Sequence, residues 1–207
     1  MARIALIMTG ASGSAYGMRI TEQLLVLGHE VVFCATTAGR EVCAYELGFE
    51  LPSDDAATAA TALGSFLELP GVDRLRVAMP QDLFDPIASG SHQLDAVIVA
   101  PASMGFCASV AAGLASDLAQ RAADVALKEH RPLVVMPRET PLSLVHLRSL
   151  TALTEAGAII VPAMPAFYQR PSSIDDMVSF MAGKVLDVLG IEHALFTRWG
   201  DGEQDRA

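Results

Sequence analysis

Short apolar segments alternate with segments of helical periodicity along almost the whole chain. Runs rich in β-branched residues predict buried strands at residues 3–8, 30–35, 75–79, 95–100, 132–136 and 158–161. Apolar residues at helical spacing predict helices at residues 14–27, 38–47, 118–129, 142–156 and 173–189, and another from about residue 104. This alternation predicts an α/β fold, a doubly wound parallel sheet of the Rossmann-like or flavodoxin-like kind with helices on both faces.

The length of 207 residues suits one well-packed domain. We expect a single domain over residues 1–190 and a polar C-terminal tail over residues 191–207, with a short helix inside the long connection at residues 48–71. Ser172 and Asp175, three residues apart, have the spacing of a helix-capping pair for the last helix. Pro141 suits the first turn of the preceding helix.

The uncharged stretch at residues 96–116 is about long enough to cross a bilayer. However, Pro101, Ser103 and Gly105 divide it into a β-branched run, a turn and a helix of small residues. We therefore predict no membrane span here. The first eight residues also lack the long apolar stretch of a signal peptide.

Composition and charge narrow the classes of partner. A formal net charge of −10 argues against a nucleic-acid-binding surface, although local donors can still hold an anionic ligand. The five histidines show no ligand spacing, so no metal site is predicted. The three cysteines are scattered, as in proteins of a reducing cytoplasm, and are interpreted as small buried hydrophobes: Cys34, Cys43 and Cys107.

The first candidate site residues follow the first predicted strand, because ligands in such folds bind beyond the carboxyl ends of the strands. Gly10, Ala11 and Ser12 begin a loop rich in glycine and hydroxyl groups that can approach and hold a phosphate. The loop has neither the spaced glycines of dinucleotide folds nor a Walker A pattern. An ordinary turn with Ser12 or Ser14 as the helix cap explains it equally well.

Hydroxyl residues also follow the second and fourth strands. Thr36 stands where an NAD-binding fold would carry an acidic residue, and its hydroxyl suits the ribityl chain or phosphate of a flavin. Ser103 is placed to cap the next helix or to contact a ligand.

Charged residues complete the pattern. Arg138 and Glu139 follow the fifth strand, where they either bridge to each other or hold a phosphate and move a proton. Arg121 and Lys128 are seven residues apart on one helical face, which is either a solvated basic stripe or part of a site. Asp124 is placed to pair with Arg121.

Eight segments, in this order and spacing, resemble the UbiX-type flavin prenyltransferases over residues 3–199. They are TGASG (9–13), ASGS (88–91), RAADV (121–125), LKE (127–129), RPLV (131–134), RETPL (138–142), PAFY (165–168) and SIDD (173–176). The resemblance implies a homo-oligomer, a dodecamer, with FMN bound near a subunit interface. It implies transfer of the dimethylallyl group of dimethylallyl phosphate to N5 and C6 of reduced FMN, without a metal. The prenylated FMN would serve a UbiD-type aromatic acid decarboxylase.

The resemblance also implies roles for individual residues. The positions that match FMN-binding residues are Gly10, Ala11, Ser12, Thr36, Ala102, Ser103, Met104, Gly105 and Arg121. Those that match catalytic or donor-binding residues are Ser14, Glu46, Lys128, Arg138, Glu139, Tyr168, Lys184, Ser89, Gly90 and Ser91. Lys128 and Arg138 would stabilise the departing phosphate, Glu139 would move a proton, and Tyr168, Phe84 or Trp199 would give the allylic cation an aromatic face.

Two features depart from the family pattern, since Ala102 replaces a common cysteine and Phe84 replaces a tryptophan found in some members. The Pro-Ala-Ser sequence at residues 101–103 also resembles the FMN-dependent cysteine decarboxylases. That alternative is disfavoured because Met104 and Gly105 replace Ala-Asn, and because their substrate motif is absent. A non-catalytic flavin carrier or electron-transfer subunit is the third reading, but it would not need Lys128, Arg138 and Glu139.

Overall fold

Six parallel strands form one sheet in the computed structural model, which describes residues 1–69 and 73–199. They are β1 (Arg3–Met8), β2 (Glu30–Ala35), β3 (Leu75–Ala78), β4 (Ala96–Ala102), β5 (Leu133–Pro137) and β6 (Ile159–Ile160). The order is β3-β2-β1-β4-β5-β6, the Rossmann-type arrangement. The predicted α/β fold with a doubly wound parallel sheet is confirmed.

Seven α-helices accompany the strands in the described residues. They are α1 (Ser14–Val26), α2 (Thr37–Leu47), α3 (Ala56–Phe66), α4 (Met104–Ala111), α5 (Leu118–Lys128), α6 (Leu144–Glu155) and α7 (Ile174–Val188). The short helix expected within residues 48–71 is α3, although residues 70 and 71 of that segment lie outside the described residues.

Alternate side chains of each central strand enter two separate cores. From β1, Ile4, Leu6 and Met8 pack in one core with residues of α1, α3 and α7. Ala5 and Ile7 point to the other face, where residues of α4 and α5 cover them. Strands buried on both faces explain the continuous apolar runs of the sequence.

The two predicted helix starts were wrong by one to three residues. The cap of α7 is Ser173, whose hydroxyl accepts from the backbone N–H of Asp176 while the Asp176 carboxylate reaches back. The predicted pair of Ser172 and Asp175 stands one position too early to meet the third backbone N–H of the helix. Pro141 is outside α6, which begins after Ser143 because that hydroxyl accepts from the His146 N–H.

The apolar run at residues 96–116 is β4, a turn and α4, as predicted. Among the described residues, no helix has both the length and the apolar character needed to cross a bilayer. Residues 195 and 196 pack against the core that contains α7. The predicted polar end of the tail, residues 200–207, lies outside the described residues, and the domain boundary after residue 190 stays a prediction.

All three cysteines are free and buried, which agrees with their interpretation as small hydrophobes. Burial raises the pKa of Cys34 and of Cys107 to about 12 and that of Cys43 to about 11.

Candidate functional site

The sheet reverses its strand order between β1 and β4, and the loops that leave these two strands face one crevice. After β1 the chain turns through Gly10 to Gly13. A Cβ on Gly10 would lie 2.5 Å from the Cβ of Ala38, so only glycine lets this loop pass the start of α2. Gly13 precedes α1 with a φ of 108°, a conformation that favours glycine.

A carboxylate from α2 caps the first turn of α1. Glu46 accepts hydrogen bonds from the backbone N–H of Gly13, at 2.9 Å, and from that of Ser14, at 2.9 Å. Neither Ser12 nor Ser14 caps this helix, so the predicted serine cap was wrong. The negative carboxylate satisfies free amides and the positive end of the helix dipole at once.

Two opposing influences act on the pKa of Glu46. Desolvation would raise it, but hydrogen bonds from the Ser12 side chain and from the backbone N–H groups of Ser14 and Gly13 outweigh that effect and lower the pKa. Glu46 is therefore ionised at neutral pH, and it already occupies the amides to which a dinucleotide fold would bind phosphate.

The side chain of Ser14 is buried directly beneath this capped turn. It is 1% exposed, and its Oγ meets no hydrogen-bond partner of normal geometry among residues 1–69 and 73–199, although it is near enough to Glu46 to lower the pKa of that carboxylate weakly. A buried hydroxyl without a partner is costly, so Ser14 has an unused donor that a ligand oxygen could accept.

Hydroxyl caps follow β2 and β4. The cap at Ser103 is one of the two alternatives that the sequence offered, whereas no cap was predicted at Thr36. Thr36 Oγ1 accepts from the N–H of Gly39, at 3.1 Å, and Ser103 Oγ accepts from the N–H of Phe106, at 3.2 Å. Each hydroxyl accepts from its helix, so its own hydrogen remains available for a ligand. Ala102 and Met104 are buried beneath this loop, whereas Gly105 is exposed, and outside its own stretch of helix no described residue would come within 4 Å of a Cβ built there.

The end of β5 brings Arg138 to both loops. The side-chain Nε of Arg138 donates to the carbonyl oxygen of Ser12, at 3.2 Å. The backbone N–H of Arg138 donates to the carbonyl oxygen of Ala102, at 3.2 Å. Glu139 accepts from the N–H of Thr140, at 3.1 Å, and no ion pair joins it to Arg138. The two residues therefore do not neutralise each other, and Arg138 is positioned beside the glycine loop.

Sequence reasoning missed two residues of this region, Thr9 and Tyr16. Thr9 is a buried hydroxyl that links the loops after β1 and β4, and its signal was a polar residue at the end of an otherwise apolar strand. Tyr16 lies beside Gly13, where a Cβ would be 2.8 Å from its ring. Desolvation raises the pKa of the Tyr16 phenol, although Arg138 partly opposes this.

A second group of predicted residues gathers around α5. Arg121 Nε donates to the carbonyl oxygen of Ala88, at 3.1 Å, and its guanidinium pairs with Asp124, at 2.7 Å, as predicted. Ser89, Gly90 and Ser91 continue from Ala88, and a Cβ on Gly90 would lie 2.7 Å from Lys128 Nζ. Lys128 pairs with Glu129.

Lys128 and Arg138 lie at opposite ends of the strands, and Arg121 lies about 10 Å from Lys128 towards the start of α5, where the N–H of Leu118 donates to Pro80 beyond the carboxyl end of β3. Arg138 follows the carboxyl end of β5, whereas Lys128 ends the helix that leads into its amino end, so about 17 Å of strand separates the two positions. The expectation that Lys128, Arg138 and Glu139 share a cavity stays a prediction, because within one chain strand β5 separates Lys128 from the other two residues. The reason is that a helix joining two parallel strands must run back from the carboxyl end of the first strand to the amino end of the next.

Tyr168 and Lys184 stand apart from both groups. The half-exposed ring of Tyr168 packs edge-on against Trp199, with 5.2 Å between the ring centroids, and against Phe180, with 6.0 Å between the centroids. Lys184 pairs with Asp187, at 3.6 Å, on its own helix. Phe84 is almost fully exposed, so it does not join this aromatic cluster in one chain.

The family model described as Flavoprotein matches residues 1–186 of the chain. The flavin prenyltransferase UbiX of Halalkalibacterium halodurans is 43% identical over 199 residues, which cover 94% of this chain and 91% of that protein. The flavin prenyltransferase UbiX of Methanothermobacter thermautotrophicus is 45% identical over 95% of this chain and 94% of its own.

Two solved structures are similar over nearly the full length. AnUbiX (PadA1) in complex with FMN and dimethylallyl pyrophosphate gives a TM-score of 0.85 at 34% identity, covering 98% of this chain and 99% of that one. A dodecameric FMN-dependent UbiX-like decarboxylase from Escherichia coli O157:H7 gives 0.83 at 34% identity, covering 95% and 98%. The cysteine decarboxylase TvaF, at 16% identity and a TM-score of 0.57 over 77% and 89%, shares the fold alone.

Proposed function

The chain belongs to the flavoprotein family, among the UbiX-type flavin prenyltransferases, and on this premise we propose how its residues serve that activity. It is a flavin prenyltransferase that joins the dimethylallyl group of dimethylallyl phosphate to N5 and C6 of reduced FMN. One observation carries the assignment to this crevice: Arg138 joins the loops after β1 and β4 where the strand order reverses. That edge is where sheets of this type bind their ligands.

The residues of the crevice fit FMN. Thr36 and Ser103 each have a hydroxyl hydrogen to donate, and Gly105 leaves the backbone open to close approach, while Gly10 lets the first loop pass the start of α2. Ala11, Ser12, Ala102 and Met104 complete the two loops. When bound, reduced FMN supplies the nucleophilic N5 and C6 atoms.

Arg138, Ser14 and Glu139 are proposed to act on the prenyl donor. As the C–O bond of the donor breaks, the phosphate leaves with the electron pair, and Arg138 with the unpartnered hydroxyl of Ser14 would stabilise its charge. Glu139 would move a proton between the phosphate and the flavin. Glu46 accepts hydrogen bonds from the backbone N–H groups of Gly13 and Ser14. Its proposed role in catalysis is therefore to hold this turn in position.

The second group is proposed to complete the crevice of a neighbouring copy. Lys128 lies at the amino end of β5 and Arg138 follows its carboxyl end, and a second cation from a neighbouring copy would add to the stabilisation of the departing phosphate by Arg138. We therefore place the site between copies in a homo-oligomer, a dodecamer. Tyr168, Lys184 and Trp199 would reach the prenyl group in the same assembly.

Mixing two inactive variants tests this arrangement. Lys128→Ala and Arg138→Ala are each expected to abolish most activity, but in randomly mixed oligomers about a quarter of the sites would combine an intact Lys128 with an intact Arg138. Recovered activity after dissociation and co-assembly supports the shared site. If the mixture stays as inactive as its parents although the subunits have exchanged, the site lies within one chain.

The reaction itself is tested under anaerobic conditions with reduced FMN and dimethylallyl phosphate. The expected result is a flavin heavier by one prenyl group, with an altered absorption spectrum. An unchanged flavin, with turnover of a cysteine-terminated peptide or with no turnover at all, would refute the proposal. Dimethylallyl pyrophosphate is the second donor to compare, because the similar AnUbiX structure contains it.

We propose a UbiD-type aromatic acid decarboxylase as the recipient of the prenylated flavin. We also propose that this protein is located in the cytoplasm. The second suggestion is supported by three buried, free cysteines, which suit a reducing compartment. Restoration of activity to a flavin-free UbiD-type decarboxylase by the product would test the first suggestion.

A further inference from the structure

Strand β1 runs through apolar residues and is followed by a buried hydroxyl at Thr9. Its neighbours Ile4 to Met8 are fully enclosed, and Thr9 is itself 2% exposed. A polar side chain at such a position needs partners, and Thr9 has them on the adjacent loop rather than in its own segment.

The hydrogen-bonded ladder between β1 and β4 ends near this residue. Paired positions run from Ile4 and Ala96 to Ile7 and Val99, and the pairing of β4 with β5 becomes irregular between Val99 and Ala102. Pro101 follows, and it has no N–H with which to continue a ladder. The chain after Ala100 therefore depends on other bonds to stay beside β1.

Thr9 supplies those bonds. Its Oγ1 donates to the carbonyl oxygen of Pro101, at 3.0 Å, and accepts from the N–H of Ser103, at 2.7 Å. Its backbone N–H donates to the same Pro101 oxygen, at 3.1 Å. One side chain thus connects the residue before Gly10 to both sides of Ala102.

We infer that Thr9 is a positioning residue that sets the spacing between the Gly10–Ser12 loop and the Ala102–Gly105 loop through its hydroxyl. This inference rests on the proposed function, because it assigns both loops to FMN. Thr9 is not proposed to touch the reacting atoms. Its role is to keep the hydroxyl of Ser103 and the open backbone at Gly105 at a fixed distance from Gly10.

The test compares three variants by their affinity for FMN. Thr9→Val keeps the shape but leaves the Ser103 N–H without its acceptor, and we expect FMN to bind about tenfold more weakly or worse. Thr9→Ser keeps the acceptor and should remain within about threefold of the wild type. Thr21→Val is the matched control, since Thr21 is equally buried but its hydroxyl donates to Gly17 O within α1.

Dissociation constants come from quenching of flavin fluorescence, with the absorption band of the bound flavin as a second readout. Urea unfolding of the flavin-free proteins separates affinity from stability. Loss of affinity and a shifted band in Thr9→Val, rescue in Thr9→Ser and no change of affinity in Thr21→Val support the inference. Unchanged FMN affinity in Thr9→Val, or an equal loss in Thr21→Val, overturns it.

Two further outcomes remain decisive. If Thr9→Val does not fold, Thr9→Ala replaces it, and binding by Thr9→Ala as tight as by Thr9→Ser would overturn the inference. If the wild-type chain itself fails to bind FMN, the proposed function fails first, and this inference fails with it.

Discussion

Replacing Gly17 by alanine sets two effects of opposite sign against each other in α1. Alanine in a helix interior is favoured over glycine by about 1 kcal/mol. However, a Cβ on Gly17 would lie 2.3 Å from the carbonyl oxygen of Ala100 and 2.9 Å from the Met8 side chain. The side chain of Met8 can move, but the oxygen belongs to the backbone of the central strand β4.

The steric effect should win. Reaching an ordinary contact requires α1 and β4 to separate by about 1 Å, and overpacking of this kind costs about 1–3 kcal/mol. After the gain in helix propensity, we expect Gly17→Ala to lower the free energy of unfolding by about 1 kcal/mol. Because the separation occurs between the two loops of the site, affinity for FMN should also fall.

The assay is urea unfolding followed by circular dichroism at one protein concentration. Gly105→Ala is the matched control, because Gly105 is also helical but its added Cβ would meet no atom within 4 Å outside its own stretch of helix, in the part of the chain that the structure describes. We expect the control to keep or slightly raise stability while weakening FMN binding. A Gly17→Ala protein as stable as the wild type, or more stable, would refute the reasoning, since the steric cost would then not exceed the gain in helix propensity.

Three further predictions concern protons and thiols. The folded chain lowers the pKa of Glu46, so its stabilising effect is present above the unfolded pKa of about 4.3 and is lost as the pH falls through the folded-state pKa. Glu46→Gln should thus lower the urea midpoint at pH 7 and hardly change it in acid, and an equal change at both would contradict this. Glu139→Gln should keep FMN affinity while slowing prenyl transfer by about 100-fold or more, so lost flavin binding would move Glu139 into the binding shell. Ellman's reagent at pH 8 should modify the buried thiols of Cys34, Cys43 and Cys107 only after denaturation. Rapid labelling of the native protein would contradict the raised pKa of these thiols.

Strand and helix positions could be predicted because burial on both faces of the sheet gives each strand a continuous apolar run. The residues at the strand ends could be predicted from the same pattern, since parallel strands bring their carboxyl ends to one edge. Arg138 near Ser12 is an example, as the two are 126 positions apart and still meet. The exact helix starts could not be predicted. Ser172 and Ser173 are adjacent serines, and only the folded backbone decides that the hydroxyl of Ser173 accepts from the helix N–H.

Contacts that depend on three-dimensional detail could not be predicted. Thr9 meets Pro101 and Ser103 more than 90 positions away, and no local spacing signals such a bond. Lys128 was assigned to the same cavity as Arg138 because both matched one family site. A helix that precedes β5 must end near the amino end of that strand. The direction of α5 therefore places Lys128 away from Arg138 of the same chain.

The charges around the second group explain why assembly should matter for the prenyl donor more than for the fold. Lys128 pairs with Glu129 and Arg121 pairs with Asp124, so each cation of this group has a carboxylate beside it. Within residues 1–69 and 73–199, Arg138 forms no ion pair, but the chain as a whole has a net charge of −10, which disfavours the approach of an anion. In the proposed arrangement, a phosphate would gain most where Arg138 of one copy and Lys128 of another act on it together, because the second cation would add to the first. By this argument, dissociating the oligomer should weaken donor binding steeply while the sheet and both of its cores, which are built within one chain, survive.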